Sequence, residues 1–265
     1  MKKAMILAGL LVLAAPSFVY SDSFILRMGY FMPKALTNSS FNEYPDSLWT
    51  YELQQMSFRK NDYRGPMYGV GYEYFLTKQF SLVLSVDFYR RSFRGFYLDW
   101  VGYAFDEGDF AFPYELYEGE FGVFHSYRVS ITPLQLSVKV APLGRRSRFV
   151  PYIGGGVGLY FWRASLYGEI VDFADPYIYD DPDLGEIDVY PIVPADLRET
   201  GRVTVGYHAF GGIQIPIGYR ITLDAEARYN IALGKFREGP EAVFEDFDPF
   251  DLGGLVLSGG ISIWF

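Results

Sequence analysis

Residues 219–231 read YRITLDAEARYNI, in which Ile221, Leu223, Ala225, Ala227, Tyr229 and Ile231 alternate with Arg220, Thr222, Asp224, Glu226, Arg228 and Asn230. A strict period of two is a strand, because successive side chains leave a pleated backbone on opposite faces. One face here is wholly apolar. The other is polar or charged at every position, and that many polar groups on one buried face need a wet interior.

The same reading recurs outward from this segment. Tyr68, Val70, Tyr72, Tyr74 and Leu76 oppose Gly69, Gly71 and Glu73; Phe80, Leu82, Leu84, Val86 and Phe88 oppose Ser81, Ser85 and Asp87; Leu134, Leu136, Val138 and Val140 oppose Gln135, Ser137 and Lys139. Tyr127, Val129 and Ile131 have the opposite parity, which predicts a bulge near Pro133. Between Val203 and Tyr219 the longest uncharged run carries four glycines and Pro216, which a helix does not tolerate. Eight strands result, at 24–33, 66–76, 79–94, 124–141, 148–168, 201–217, 219–236 and 254–265. Short turns alternate with long loops at 34–65, 95–123, 169–200 and 237–253. An even strand count with alternating short and long connections predicts an all-β fold, an eight-stranded antiparallel up-and-down transmembrane β-barrel. A soluble barrel of calycin type is the rival, since parity alone does not say which face points out.

Composition bounds the rest. The chain has 265 residues, 50% hydrophobic and 19% aromatic, with no cysteine and a net charge of −9. So large an aromatic load excludes disorder, and the missing cysteines exclude disulfide scaffolds, zinc fingers, iron–sulfur clusters and thiol chemistry. The acidic balance argues against a nucleic-acid partner. Lys2 and Lys3, the uncharged stretch Ala4 to Ala15 and the small residues around Ser21 form a secretory signal. Residues 1–21 are therefore expected to be a signal peptide cleaved after Ser21, and 22–265 the barrel domain. The stretch is shorter than the ~20 residues of a spanning helix.

The segment LVLSGGISIWF, residues 255–265, has apolar residues at alternate positions and an aromatic terminus, and PYIGGGVGLY, residues 151–160, is a glycine-rich strand. Both resemble the small outer-membrane β-barrel proteins, the OmpW/OmpX/OmpA-like group. The likeness covers the mature chain by strand plan and only these two segments by motif. It implies a bacterial outer-membrane location, and a terminal strand whose Ile261, Ile263 and Phe265 are read by the barrel-assembly machinery. Lipid and lipopolysaccharide are the other expected partners.

Charge is sorted along the chain. Segments 95–123, 170–200 and 237–252 together hold 22 acids and 2 bases, leaving 10 acids and 21 bases elsewhere. The acidic loops admit three readings: colloidal repulsion, a cation-attracting vestibule, or divalent-cation ligation by Asp180, Asp181 and Asp183 or by Glu245, Asp246 and Asp248. No other cofactor is expected. Arg27, Glu73, Asp87, Lys139, Arg220, Asp224, Glu226 and Arg228 share the inward parity, which predicts a lumen charge network. Eight strands leave an interior that side chains roughly fill, so a paired polar core and an open channel both remain. His125 and His208 are the only imidazoles, and neither sits in a recognisable catalytic pattern, so no enzyme activity is expected. Two functions stand: a minor porin or passive conduit for small solutes, and a structural or interaction barrel whose acidic loops bind cations, lipopolysaccharide or a partner surface.

Overall fold

Eight long antiparallel strands pair in a closed ring in the computed structural model: β1 (Ser23–Pro33), β2 (Gly65–Phe75), β3 (Phe80–Phe105), β5 (Phe121–Val140), β6 (Val150–Val171), β8 (Gly185–Pro216), β9 (Ile221–Gly234) and β11 (Gly254–Trp264). The ring closes where β1 pairs with β11, Phe24 opposite Ile263 and Phe31 opposite Val256. Closure leaves no unpaired edge, which a β structure inside a bilayer requires. The structure describes residues 22–34, 54, 56–59, 61–106, 108–144, 147–239, 244 and 249–265. The expected signal segment 1–21 and the candidate ligands Glu245, Asp246 and Asp248 lie outside those residues.

The outward parity is apolar around the ring. Met28, Tyr68, Phe88, Leu136, Ile153 and Tyr207 are all more than half exposed, and Phe24, Leu84, Leu223 and Ile261 nearly so. That belt cannot face water at such an area without driving association, and its natural solvent is lipid. It decides against the soluble barrel.

Two expectations are corrected. Segments 95–123 and 169–200 are largely not loops. β3 and β8 run well past the predicted ends, β4 (Gly108–Pro113) and β7 (Tyr177–Asp181) fold back on them, and the two-residue β10 (Phe250–Asp251) pairs with β9. β4 also bridges to β8 through Phe110 opposite Pro191. Alternating aromatics such as Tyr103, Phe105, Phe110 and Phe112 suit a β surface, but the acids among them hid it. Nor is there a bulge at Pro133. β5 pairs with β6 in one unbroken register from His125–Gly168 to Val140–Ile153. The reversal at Ile131 is a change in what the lumen contains, not a change of face. Register shifts in the wall lie instead between Phe96 and Val101 against β5 and between Trp162 and Ala164 against β8, where Gly201 adopts a positive φ of 75° that other residues resist.

Candidate functional site

The lumen has two halves. Near the short turns it is polar and paired. Arg27 grips Asp87 with Nε to Oδ1 at 2.8 Å and Nη2 to Oδ2 at 3.1 Å, and reaches Glu226 at 3.5 Å. Arg228 lies 2.8 Å from the same Glu226 and 3.5 Å from Asp87, and donates to the Gln135 side-chain oxygen. Gln135 passes the chain on, donating to Tyr160 and Asn230 at 2.9 Å each. Lys139 pairs with Glu73 at 2.9 Å, and Ser81 donates to Glu73 at 2.5 Å. Asp224 accepts from Ser262. Two arginines thus face two carboxylates, and a lysine a third, so most of the buried charge is compensated locally. Gly69 leaves room for this pair: a Cβ there would meet Asp87 Oδ1 at 1.9 Å and Arg27 Nε at 2.9 Å, so the pair would have to shift.

Seven of the eight predicted network residues therefore sit in the polar half. Arg220 does not; it lies exposed in the turn between β8 and β9, where the chain has left the alternating strand. Gln135, Asn230 and Tyr160 complete the network; the alternation puts Gln135 and Asn230 on the inward face, but nothing in it shows which charges they join.

Toward the loops the inward residues turn apolar within one row. Tyr89, Ile131 and Trp162 stand side by side on β3, β5 and β6, directly beyond Asp87, Pro133 and Tyr160. Met56, Phe58 and Tyr63 enter from the β1–β2 connection and Phe236, Phe244, Phe250 and Leu252 from the β9–β11 connection, all buried. Trp162 packs edge-on to Phe236 at 5.2 Å and against Phe250 at 5.1 Å. The polar half retains a cavity of about 20 Å³, room for one water. Among the described residues, then, paired polar groups occupy the bore near the turns and the buried apolar cluster occupies it toward the loops.

The two histidines are buried in this interior. His125 lies against Phe58 and Tyr97 in the apolar half, while Ser126 faces out, so the two do not meet. His208 Nε2 is 2.7 Å from Ser137 Oγ, but its Nδ1 meets no carboxylate. The pair lacks the orienting group that a serine nucleophile uses.

Beyond the wall, β3, β4, β7 and β8 form an outer platform. Its cleft of about 290 Å³ is lined by Phe105, Phe110, Phe112, Tyr177 and Tyr179 with Asp106 and Val189. The rings brace one another, Phe112 to Tyr179 at 5.2 Å and Phe110 to Tyr177 at 5.6 Å. Asp181 accepts from the Tyr117 hydroxyl at 2.7 Å and from the backbone N–H of Asp183 and Leu184 at 2.9 Å. These bonds, Tyr117's first, hold its carboxyl below the usual carboxylate range. Desolvation and the bond to Asp181 push Tyr117 up to about 12. Asp181 is thus engaged in tying two turns together, and no group of three or more potential metal ligands is gathered among the described residues. Ile261, Ile263 and Phe265 are exposed on the outward side of the terminal strand.

No family model matches the sequence, and no curated relative does. Among solved structures, the chain is similar to Neisserial surface protein A (12% identity, 92% of this chain and 97% of that one, TM-score 0.42). It is also similar to the N-terminal β-barrel domain of Pseudomonas aeruginosa OprF (11%, 93% and 100%, 0.39) and to the outer membrane protein OprG of the same organism (11%, 92% and 96%, 0.42).

Proposed function

We propose that this protein is an integral outer-membrane barrel that works as a binding scaffold: a closed stem in the bilayer holding an acidic, aromatic platform outside. The observation that carries this reading is the filled bore. A conduit needs a continuous water path, and the cavity among the charged lumen residues has room for about one water. The platform has what a binding surface needs. Tyr114, Leu116, Tyr177, Ile178 and Leu184 are each more than half exposed there, beside Asp106, Asp180, Glu186 and Asp188. Exposed apolar area rimmed by one sign of charge suits a cationic partner with an apolar or aromatic body. The reading assigns recognition rather than catalysis, and gives Ile261, Ile263 and Phe265 the assembly role that the resemblance implies.

Planar-bilayer recording of the refolded full chain tests it. The expected result is no conductance step beyond that of the empty bilayer, together with salt-sensitive, saturable binding of a Lys- and Phe-rich peptide probe to the chain in vesicles. Reproducible single-channel steps would overturn the closed stem.

A further inference from the structure

The outward parity of β3, β5, β6 and β8 turns from apolar to largely polar over three consecutive rows. Pairing sets Arg90, Ser130 and Arg163 in one row and Ser92, Arg128, Ser165 and Arg198 in the next, with Arg94, Ser126, Tyr167 and Asp196 beyond. One step toward the turns the same strands present Phe88, Phe161 and Val203, exposed members of the apolar belt. A checkerboard of arginines and serines therefore begins where the grease stops, around a concavity of about 490 Å³.

Height places it at a headgroup layer. Arg90 is ten residues along β3 from Phe80 at the turn. At about 3.3 Å per residue and a tilt of about 40° that is about 25 Å of wall, the height of the apolar band on such barrels.

The charges are available. Arg198 holds Asp196 at 2.6 Å, but no carboxylate among the described residues pairs with Arg90, Arg128 or Arg163. Arg128 is steered by Tyr167, donating to its hydroxyl at 3.0 Å with the guanidinium 5.0 Å from the ring centre, and its Nε is buried without a partner.

We propose that this wall is a site for the phosphate-bearing headgroup of an outer-leaflet membrane lipid. Guanidinium forks match phosphate geometry, and the serine hydroxyls can donate to further oxygens. The lipid's chains would lie along the apolar row below. A soluble polyanion is the weaker occupant, because it would approach past the acidic platform, which repels it. A lipid arrives sideways, below that field. The proposal rests on the bilayer-spanning reading of the barrel but not on the filled lumen.

The test uses the full chain refolded in phosphatidylcholine nanodiscs carrying either diphosphorylated lipid A or the same lipid with its phosphates removed. Native mass spectrometry should show the phosphorylated lipid retained at least about tenfold better. Replacing Arg90, Arg128 and Arg163 together by Ser should abolish that preference, while Lys at the same three positions should restore part of it, keeping charge but losing the fork. Heat-modified gel mobility confirms folding of each variant, and the three single substitutions, each expected to lose part of the preference, serve if the triple does not fold. Equal retention of both lipids, or an unchanged preference in the serine variants, would overturn the proposal. So would displacement of bound lipid by inorganic pyrophosphate at equal concentration, which would make the wall a soluble-anion site. Failure to enter the bilayer would overturn this proposal and the bilayer-spanning reading together; entry without preference overturns this one alone.

Discussion

The two halves of the lumen share β3, β5 and β6 on one inward parity, yet one is held by Arg27, Asp87, Glu226 and Arg228 and the other by Tyr89, Ile131 and Trp162. The polar half owes its order to directional bonds whose loss leaves charge stranded. The apolar half owes its order to packing, and it borrows Met56, Phe58, Phe236 and Phe250 from connections outside the strands. Among the described residues, the polar end is thus packed by strand side chains alone, whereas the other end is packed by strands and connections together.

The sharpest way to break that contrast is Arg228→Met. It removes a buried cation that faces Glu226 at 2.8 Å and Asp87 at 3.5 Å, leaving Arg27 to balance two carboxylates. Stranding a buried charge costs about 3–5 kcal/mol. Urea unfolding of the refolded barrel should show that loss, and adding Glu226→Gln should recover part of it, because the network is then neutral again. Equal destabilisation by the single and double variants would mean that Arg228 acts by its contact with the Phe210 ring, whose centre lies 5.1 Å from the guanidinium, and not by pairing with Glu226.

Ile131→Asn asks the converse question one level up. The site lies between Tyr89 and Trp162 in the buried apolar cluster. A buried amide without partners costs about 1–3 kcal/mol, beyond the lost packing. The same amide is at home four residues away, where Gln135 has Tyr160, Asn230 and Arg228 around it. A variant as stable as the parent would show that water reaches the outer half of the bore.

Much of this was legible from parity. The alternation in 219–231 placed Asp224, Glu226, Arg228 and Asn230 inside, and the strand plan located all eight wall strands to within a few residues at their turn ends. What parity cannot say is how an inward side chain is satisfied. Tyr127, Val129 and Ile131 looked like a change of face because an inward residue was assumed to be polar, and the aromatic fill from the connections that makes them comfortable has no periodic signature. The platform strands were missed for a related reason: acids between the aromatics of 99–120 read as solvated loop, although backbone pairing outweighs that composition. Arg90, Arg128 and Arg163 went unnoticed because their grouping depends on register across three strands, which no single segment displays.

The smallest expected effect lies outside both halves, where the platform is tied by the Tyr117–Asp181 bond. A carboxyl whose folded titration is depressed contributes stability that is present above its ordinary unfolded value and lost as pH falls through the lowered one. Tyr117 runs the other way: its neutral hydroxyl is favoured, so its contribution is complete below the ordinary tyrosine value and is lost as pH rises through about 12. Between those limits the tie is pH-independent. Tyr117→Phe should move the Asp181 midpoint up toward the ordinary carboxylate value, but only part of the way, because the backbone N–H groups of Asp183 and Leu184 still donate to it. Carboxyl-carbon NMR of the refolded protein in detergent reads that midpoint directly. Urea unfolding of the stem should be unchanged, since the bond lies on an exposed edge and neither half of the lumen depends on it; a shift there would show that platform and bore fold as one unit.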